Sequence, residues 1–198
     1  MSRAYTLLFD GYADWELGHV LAELRRYGKV EVVSVGFSDK VVVSMGGLHV
    51  IPETTISQVD LKDVLIFILP GGYMWEGDYP VDEIEQLLHR LDKAKIPIGA
   101  ICAATTAVAR AGLLHGRKHT SNSLKYLSKM VPGYSEGANY VDSLSTRDQH
   151  IITASGLGSV EFTMEIFNAL NLATPEIRTI WYDAFKHGKY PESAEQGH

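Results

Sequence analysis

One cysteine in 198 residues cannot close a disulfide within the chain, which agrees with a reducing, cytoplasmic setting. No apolar run approaches the ~20 residues that span a bilayer. The N-terminus reads as a strand rather than as a charged leader followed by a long apolar stretch. No run of lysines and arginines interleaves with aromatics, and a formal net charge of −6 offers no basic field to a polyanion. Neither nucleic acid nor membrane is expected as a partner. Internal repeats and Pro/Ser-rich linkers are also missing, so residues 1–188 read as one domain and 189–198 as a polar tail. With 45% hydrophobic and 21% charged residues, such a domain can bury a large core.

What is present alternates between strand and helix. "RAYTLLF" is an apolar run of the kind buried in a parallel sheet, and "DWELGHVLAELRRYG" spaces Trp15, Val20, Leu21, Leu24 and Tyr27 as a helix face. Asp14 suits its N-cap and Gly28 its stop. "VEVVSV" is the next strand, and "KVVVSMGGLHVI" a hairpin turning at Met45-Gly46-Gly47. "DVLIFILPGG" is a buried strand halted at Pro70, followed by a helix with Val81, Ile84, Leu87, Leu88 and Leu91 on one face. "IPIGAI" forms a strand and "AATTAVARAG" a short helix ended by Gly112, with "SLKYLSKMV" a further helix. "NYVDSLSTRDQHIITAS" reads as two strands joined at Arg147-Asp148. "SVEFTMEIFNALN" and "TPEIRTIWYDAFKHG" close the domain as helices, the second with Thr174 as cap and Pro175 in its first position. This order implies an α/β fold with a doubly wound, mostly parallel sheet between two helical layers.

Such sheets bind ligands beyond the carboxyl ends of their strands. That rule brings together "FDGYADWE", "LPGGYMWEGDYP" and the cysteine after Ile98 to Ile101. Cys102 lies between an apolar strand and a small-residue helix, with Ala100 and Ala104 supplying the small neighbours that a sharp strand-to-helix turn requires. The helix start predicts a lowered thiol pKa. Gly71 and Gly72 offer backbone N–H groups to an oxyanion. Glu16, near the start of the first helix, suits a protonated partner that donates to the sulfur.

Each feature has a structural alternative: a buried inert thiol, a simple turn at Gly71-Gly72, an exposed first-turn acid at Glu16. Tyr12, Trp15, Tyr73, Trp75 and Tyr79 crowd the same edge, either as a pocket wall or as core and dimer contacts. "SGLGSVE" lacks the third glycine of a dinucleotide fingerprint, and Gly116 between His115 and His119 breaks a helical metal pair. No metal and no cofactor is expected.

These stretches resemble the ThiJ/PfpI family, also called the DJ-one superfamily, within the class I glutamine amidotransferase-like fold. The resemblance runs through "LLFDGYADWE", "LPGG", "GAICAATTAVARAGLLHGRKHTSN", "YVD" and "ITASGLGSVEF". It implies a flavodoxin-like three-layer α/β/α sandwich and a homodimer. It also implies an elbow cysteine, Cys102, paired with an acid, Glu16, and oxyanion amides from the glycine pair. Family members include cysteine peptidases and amidases, glyoxalase-like enzymes, and stress proteins with an oxidisable cysteine.

The departures narrow the choice. Where peptidase-type members have a histidine after the cysteine, this chain has Ala103. Where amidotransferases carry His-x-Glu, it reads Ser159-Val160-Glu161. Asn122 aligns with the histidine of glyoxalase-like members, and His119, three residues earlier, points to the opposite face if it lies on a strand. Peptide hydrolysis is therefore disfavoured, because an amine leaving group needs a proton donor. One reading is an enzyme in which the Cys102 thiolate adds to a small electrophilic substrate, the Gly71, Gly72 and Ala103 amides hold the oxyanion, and Glu16 moves protons. In the other, an oxidant converts Cys102 to sulfenic and then sulfinic acid without turnover. A noncatalytic binding module using the aromatic pocket is a third.

Overall fold

The apolar runs of the sequence become the middle of one sheet. In the computed structural model, which describes residues 3–190, β1 (Arg3–Leu7) leads through α1 (Asp14–Arg26) to β2 (Val32–Gly36). The hairpin of β3 (Val42–Val43) and β4 (His49–Val50) follows, then β5 (Thr54–Thr55), β6 (Val64–Leu69), α2 (Val81–Lys93) and β7 (Ile98–Ile101). After the elbow come α3 (Thr105–Arg110), α4 (Leu124–Met130), β8 (Ser145–Asp148), β9 (Ile151–Ala154), α5 (Ser159–Leu170) and α6 (Pro175–His187). The main sheet has seven strands in the order β5-β2-β1-β6-β7-β9-β8. Every neighbouring pair in it is parallel except β8 with β9. Residues 191–198 of the expected polar tail lie outside the described residues.

The central strands are covered on both faces. Ile66, Phe67, Ile68 and Leu69 of β6 are fully buried, which is why this run shows no polar alternation. In β7, a Cβ on Gly99 would come within 2.8 Å of the Phe162 ring, so the glycine lets α5 approach one face. Alternation then turns Ile98 and Ala100 to the other face, where α2 and α3 pack. α2 buries Ile84, Leu87, Leu88 and Leu91, each worth about 2 kcal/mol of transfer free energy. α1 packs on α5, and α5 on α6, completing the second helical layer.

Local details differ from the sequence reading in four places. Asp14 does not cap α1, since the cap is Ala13 without a side-chain bond. Asp14 instead accepts the Gly46 amide at 2.6 Å, tying the β3–β4 hairpin to the helix. The left-handed residue after α1 is Lys29 (φ 52°); at Gly28 a Cβ would lie 2.6 Å from the Leu24 carbonyl oxygen, so close approach is what favours glycine there. β8 and β9 join at Gln149-His150 rather than Arg147-Asp148, because Arg147 pairs with Ile152 and Asp148 with Ile151. Strand β5, only two residues long, is too short to show a period. At α6 the expected cap holds: Thr174 accepts from the Ile177 amide.

β1, β6 and β7 are consecutive and parallel in the sheet. Their carboxyl ends therefore open on one edge, and the segments bearing Glu16, Gly71 and Cys102 meet there.

Candidate active site at the end of the seventh strand

Cys102 leaves β7 with φ 61°, a left-handed conformation that costs a residue with a side chain about 1–2 kcal/mol. The tight turn is sustained by its surroundings. Ala100 and Ala104 are fully buried, and the Thr105 hydroxyl donates to the Cys102 carbonyl at 2.7 Å. Two glycines cover the side chain. A Cβ on Gly71 would lie 2.7 Å from the Cys102 Cβ, and one on Gly156 would lie 2.9 Å from its Sγ. Gly156 was visible in "SGLGSVE", where the sequence suggests only the packing of a helix start; its contact with the sulfur is a finding of the structure.

Glu16 is fully buried. Its Oε2 accepts the Gly71 amide at 2.5 Å. Among the described residues its buried Oε1 has no nitrogen or oxygen partner, and the carboxyl interacts directly with the Cys102 thiol. Burial raises the Glu16 pKa to about 7, against the lowering effect of the Gly71 amide and the thiol contact. A carboxyl so placed carries a proton part of the time at neutral pH and can take or return one.

The thiol differs from the sequence expectation. Burial foremost, and then the Glu16 charge, push its pKa up to about 11, although the Asn122 amide and the Ala103 backbone N–H act the other way. The helix that was expected to lower it is a single 3₁₀ turn, Cys102–Ala104, followed by the six residues of α3. Its field is too small to offset desolvation.

The proposed oxyanion donors separate. The Ala103 amide faces the sulfur. The Gly71 amide is committed to Glu16, so this glycine positions the acid instead of facing an oxyanion. Gly72 is held by packing: a Cβ there would meet the Phe9 ring at 2.6 Å and the Gly11 carbonyl at 2.8 Å. Asn122 joins the group from the other side. Its Nδ2 donates to Cys102 Sγ at 3.3 Å, while its Oδ1 accepts the Gly156 amide at 2.9 Å. That second bond fixes which end of the amide faces the sulfur. His119 is turned away, with Nδ1 against the Arg117 carbonyl and Nε2 against the Tyr134 hydroxyl.

The aromatic residues do not form one wall. Trp75 is fully buried, its Nε1 donating to the Pro70 carbonyl at 2.7 Å and its ring meeting Phe9 and Tyr79 edge-on. It is core, not a pocket wall or a dimer contact. Tyr12 is also buried, with its hydroxyl toward Ser44. Trp15 and Tyr73 are 56% and 78% exposed, Trp15 in a surface hollow with Asp14, Met45, Gly46 and Leu48. Tyr126 was not singled out by the sequence, although it lies four residues beyond Asn122, in the first turn of α4. Its hydroxyl donates to Glu76 Oε1 at 2.8 Å, and a thiolate at Cys102 disfavours its ionisation.

Comparison with known proteins agrees with this fold. The model of the DJ-1/PfpI family matches residues 2–169. The uncharacterized protease YoaZ of Bacillus subtilis is 33% identical over 194 residues, 94% of this chain and 92% of that protein. The glutathione-independent glyoxalase DJR-1.2 of Caenorhabditis elegans is 29% identical over 144 residues, 72% of this chain and 75% of that protein. The crystal structure of the DJ-1 superfamily protein Atu0886 from Agrobacterium tumefaciens superposes with a TM-score of 0.86 at 33% identity, covering 94% of this chain and all of the other.

Proposed function

The chain belongs to the DJ-1/PfpI family, and we propose that it is a cysteine-dependent hydrolase or lyase acting on a small carbonyl compound. The Cys102 sulfur attacks the carbonyl carbon and the C=O π pair moves onto oxygen. The thiol proton passes to Glu16, which then returns it to that oxygen, giving a neutral hemithioacetal or its acyl counterpart. The Ala103 amide and Asn122 Nδ2 hold the oxygen while it is charged.

The observation that carries this reading is the buried Glu16 carboxyl against the thiol, with a pKa of about 7. A thiol held near 11 is a poor spontaneous nucleophile, but a base in contact with it removes the proton as the bond forms. The glyoxalase named among the relatives favours a small aldehyde as substrate. The protease name carried by another fits less well: Ala103 and Asn122 cannot give a proton to an amine leaving group. Turnover of methylglyoxal and of a small ester by wild type and Cys102→Ser tests the reading, and equal rates remove it.

The alternative, oxidation of Cys102 to sulfenic and sulfinic acid by a peroxide without turnover, has the same donors available for the new oxygens. It is served less well by a thiol whose pKa is raised, because the thiolate is the species oxidised. We also place the protein in the cytoplasm as a homodimer. The lone cysteine supports the first, and among the described residues no helix is long and apolar enough to cross a membrane. The exposed Trp15, Leu48 and Ile51 support the second, and an unchanged mass in light scattering of Trp15→Asp counts against that surface.

A further inference from the structure

Two segments flank Cys102. On one side Gly71 lies against its Cβ, and the 3₁₀ turn Tyr73–Glu76 follows directly. On the other side Asn122 touches the sulfur, and Ser123 then caps α4 by accepting the Tyr126 amide. The bond from the Tyr126 hydroxyl to Glu76 Oε1, 2.8 Å long, therefore joins the two segments across the cysteine.

The direction of that bond matters. A phenol has one proton, and the carboxylate of Glu76 takes it. What remains of the Tyr126 hydroxyl is its lone pairs, an acceptor and not a donor. Tyr126 is kept a phenol by burial and by Glu76, so this polarity persists at neutral pH. The donors already present, Ala103 N–H and Asn122 Nδ2, serve the carbonyl oxygen. An acceptor on the bridge between the two segments that touch Cys102 is suited to a different group of the substrate, one with a proton to give.

Resting on the covalent addition proposed above, we infer that Tyr126 is a specificity-determining residue that selects carbonyl compounds bearing a hydroxyl on the carbon next to the carbonyl. The hydroxyl donates to the Tyr126 oxygen while the sulfur adds to the neighbouring carbon. An analogue without that proton leaves the Tyr126 oxygen unpaired against the bound ligand.

The test needs only the addition step. Cys102 is alkylated with iodoacetamide in the presence of increasing glycolaldehyde or methoxyacetaldehyde, which share an electron-withdrawing oxygen but differ in the O–H. Each protection constant is divided by the addition constant of the same aldehyde with free N-acetylcysteine. Glycolaldehyde is expected to protect about tenfold more tightly in the wild type, with the preference falling to near one in Tyr126→Phe. Glu76→Ala, at an exposed position, keeps the phenol but frees its proton, and narrows the preference as well. Equal protection by the two aldehydes in wild type, or a preference retained in both variants, overturns the inference and leaves covalent addition standing. If neither aldehyde protects, both the inference and the reading beneath it fall.

Discussion

Asn122 holds the Cys102 sulfur with one end of its side-chain amide, at 3.3 Å, and the Gly156 amide with the other, at 2.9 Å. The first contact favours thiolate and the second orients the first. Replacing the nitrogen by oxygen keeps the shape and reverses the effect. In Asn122→Asp the sulfur faces a charged acceptor, so the thiol pKa rises and iodoacetamide alkylation at pH 8 falls by about tenfold or more. An unchanged rate would show that the contact does not tune the thiol.

Glu16 acts on the same sulfur in the opposite direction, since its charge is the largest cause of the raised thiol pKa after burial. Glu16→Gln removes that charge while retaining a group that can accept from Gly71. The pH profile of Cys102 alkylation in this variant is expected to move to lower pH, with the rate at pH 8 rising roughly tenfold. Turnover of a carbonyl substrate moves the other way, because the variant has a readier thiolate but no proton acceptor. A variant slow in both assays would make Glu16 a structural residue only.

The elbow, the acid and the parallel sheet were legible because each follows from local pattern plus strand order. Cys102 ends an apolar run between alanines, and Glu16 begins a helix on a strand that adjoins β6. Four features depended on orientation or tertiary placement, which spacing does not carry. Trp75 and Tyr73 are two residues apart in one 3₁₀ turn, and the turn sends the first into the core and the second into solvent. The Gly71 amide points to Glu16, a direction set by the tertiary meeting of α1 with the loop after β6. The thiol pKa is a balance of burial against a short helix, and sequence shows the helix but not how deeply the sulfur lies. The contact of Tyr126 with Glu76 spans 50 residues and leaves no periodic trace.

Gly156 tests how closely the thiol is covered. A methyl group there would sit 2.9 Å from Sγ and 3.1 Å from Cβ of Cys102, and 3.2 Å from Glu16 Oε1. These distances are too short to hold, so Gly156→Ala must displace the segment or the cysteine. Overpacking of this kind costs about 1–3 kcal/mol, and thermal unfolding should show it. Alkylation should slow beyond what Asn122→Asp produces, because the displaced segment also carries the amide that orients Asn122.

The raised pKa of Glu16 makes stability depend on pH with a definite sign. Its proton is bound more tightly in the folded chain, with a pKa of about 7 against the ordinary glutamate value of 4.5. The folded state therefore holds more protons at this site than the unfolded state between those limits, and stability falls as pH rises through them. The stabilisation linked to this group is complete below pH 4.5 and is lost by the time pH passes 7. The difference in pKa corresponds to roughly 3 kcal/mol. Glu16→Gln does not titrate, so urea unfolding of wild type and variant at pH 5 and pH 8 isolates the contribution from all other groups. The wild type should lose about that much relative to the variant between the two conditions. A constant difference would mean that Glu16 is not held at a raised pKa, and that the carboxylate beside Cys102 is a weaker base than the proposed proton transfer calls for.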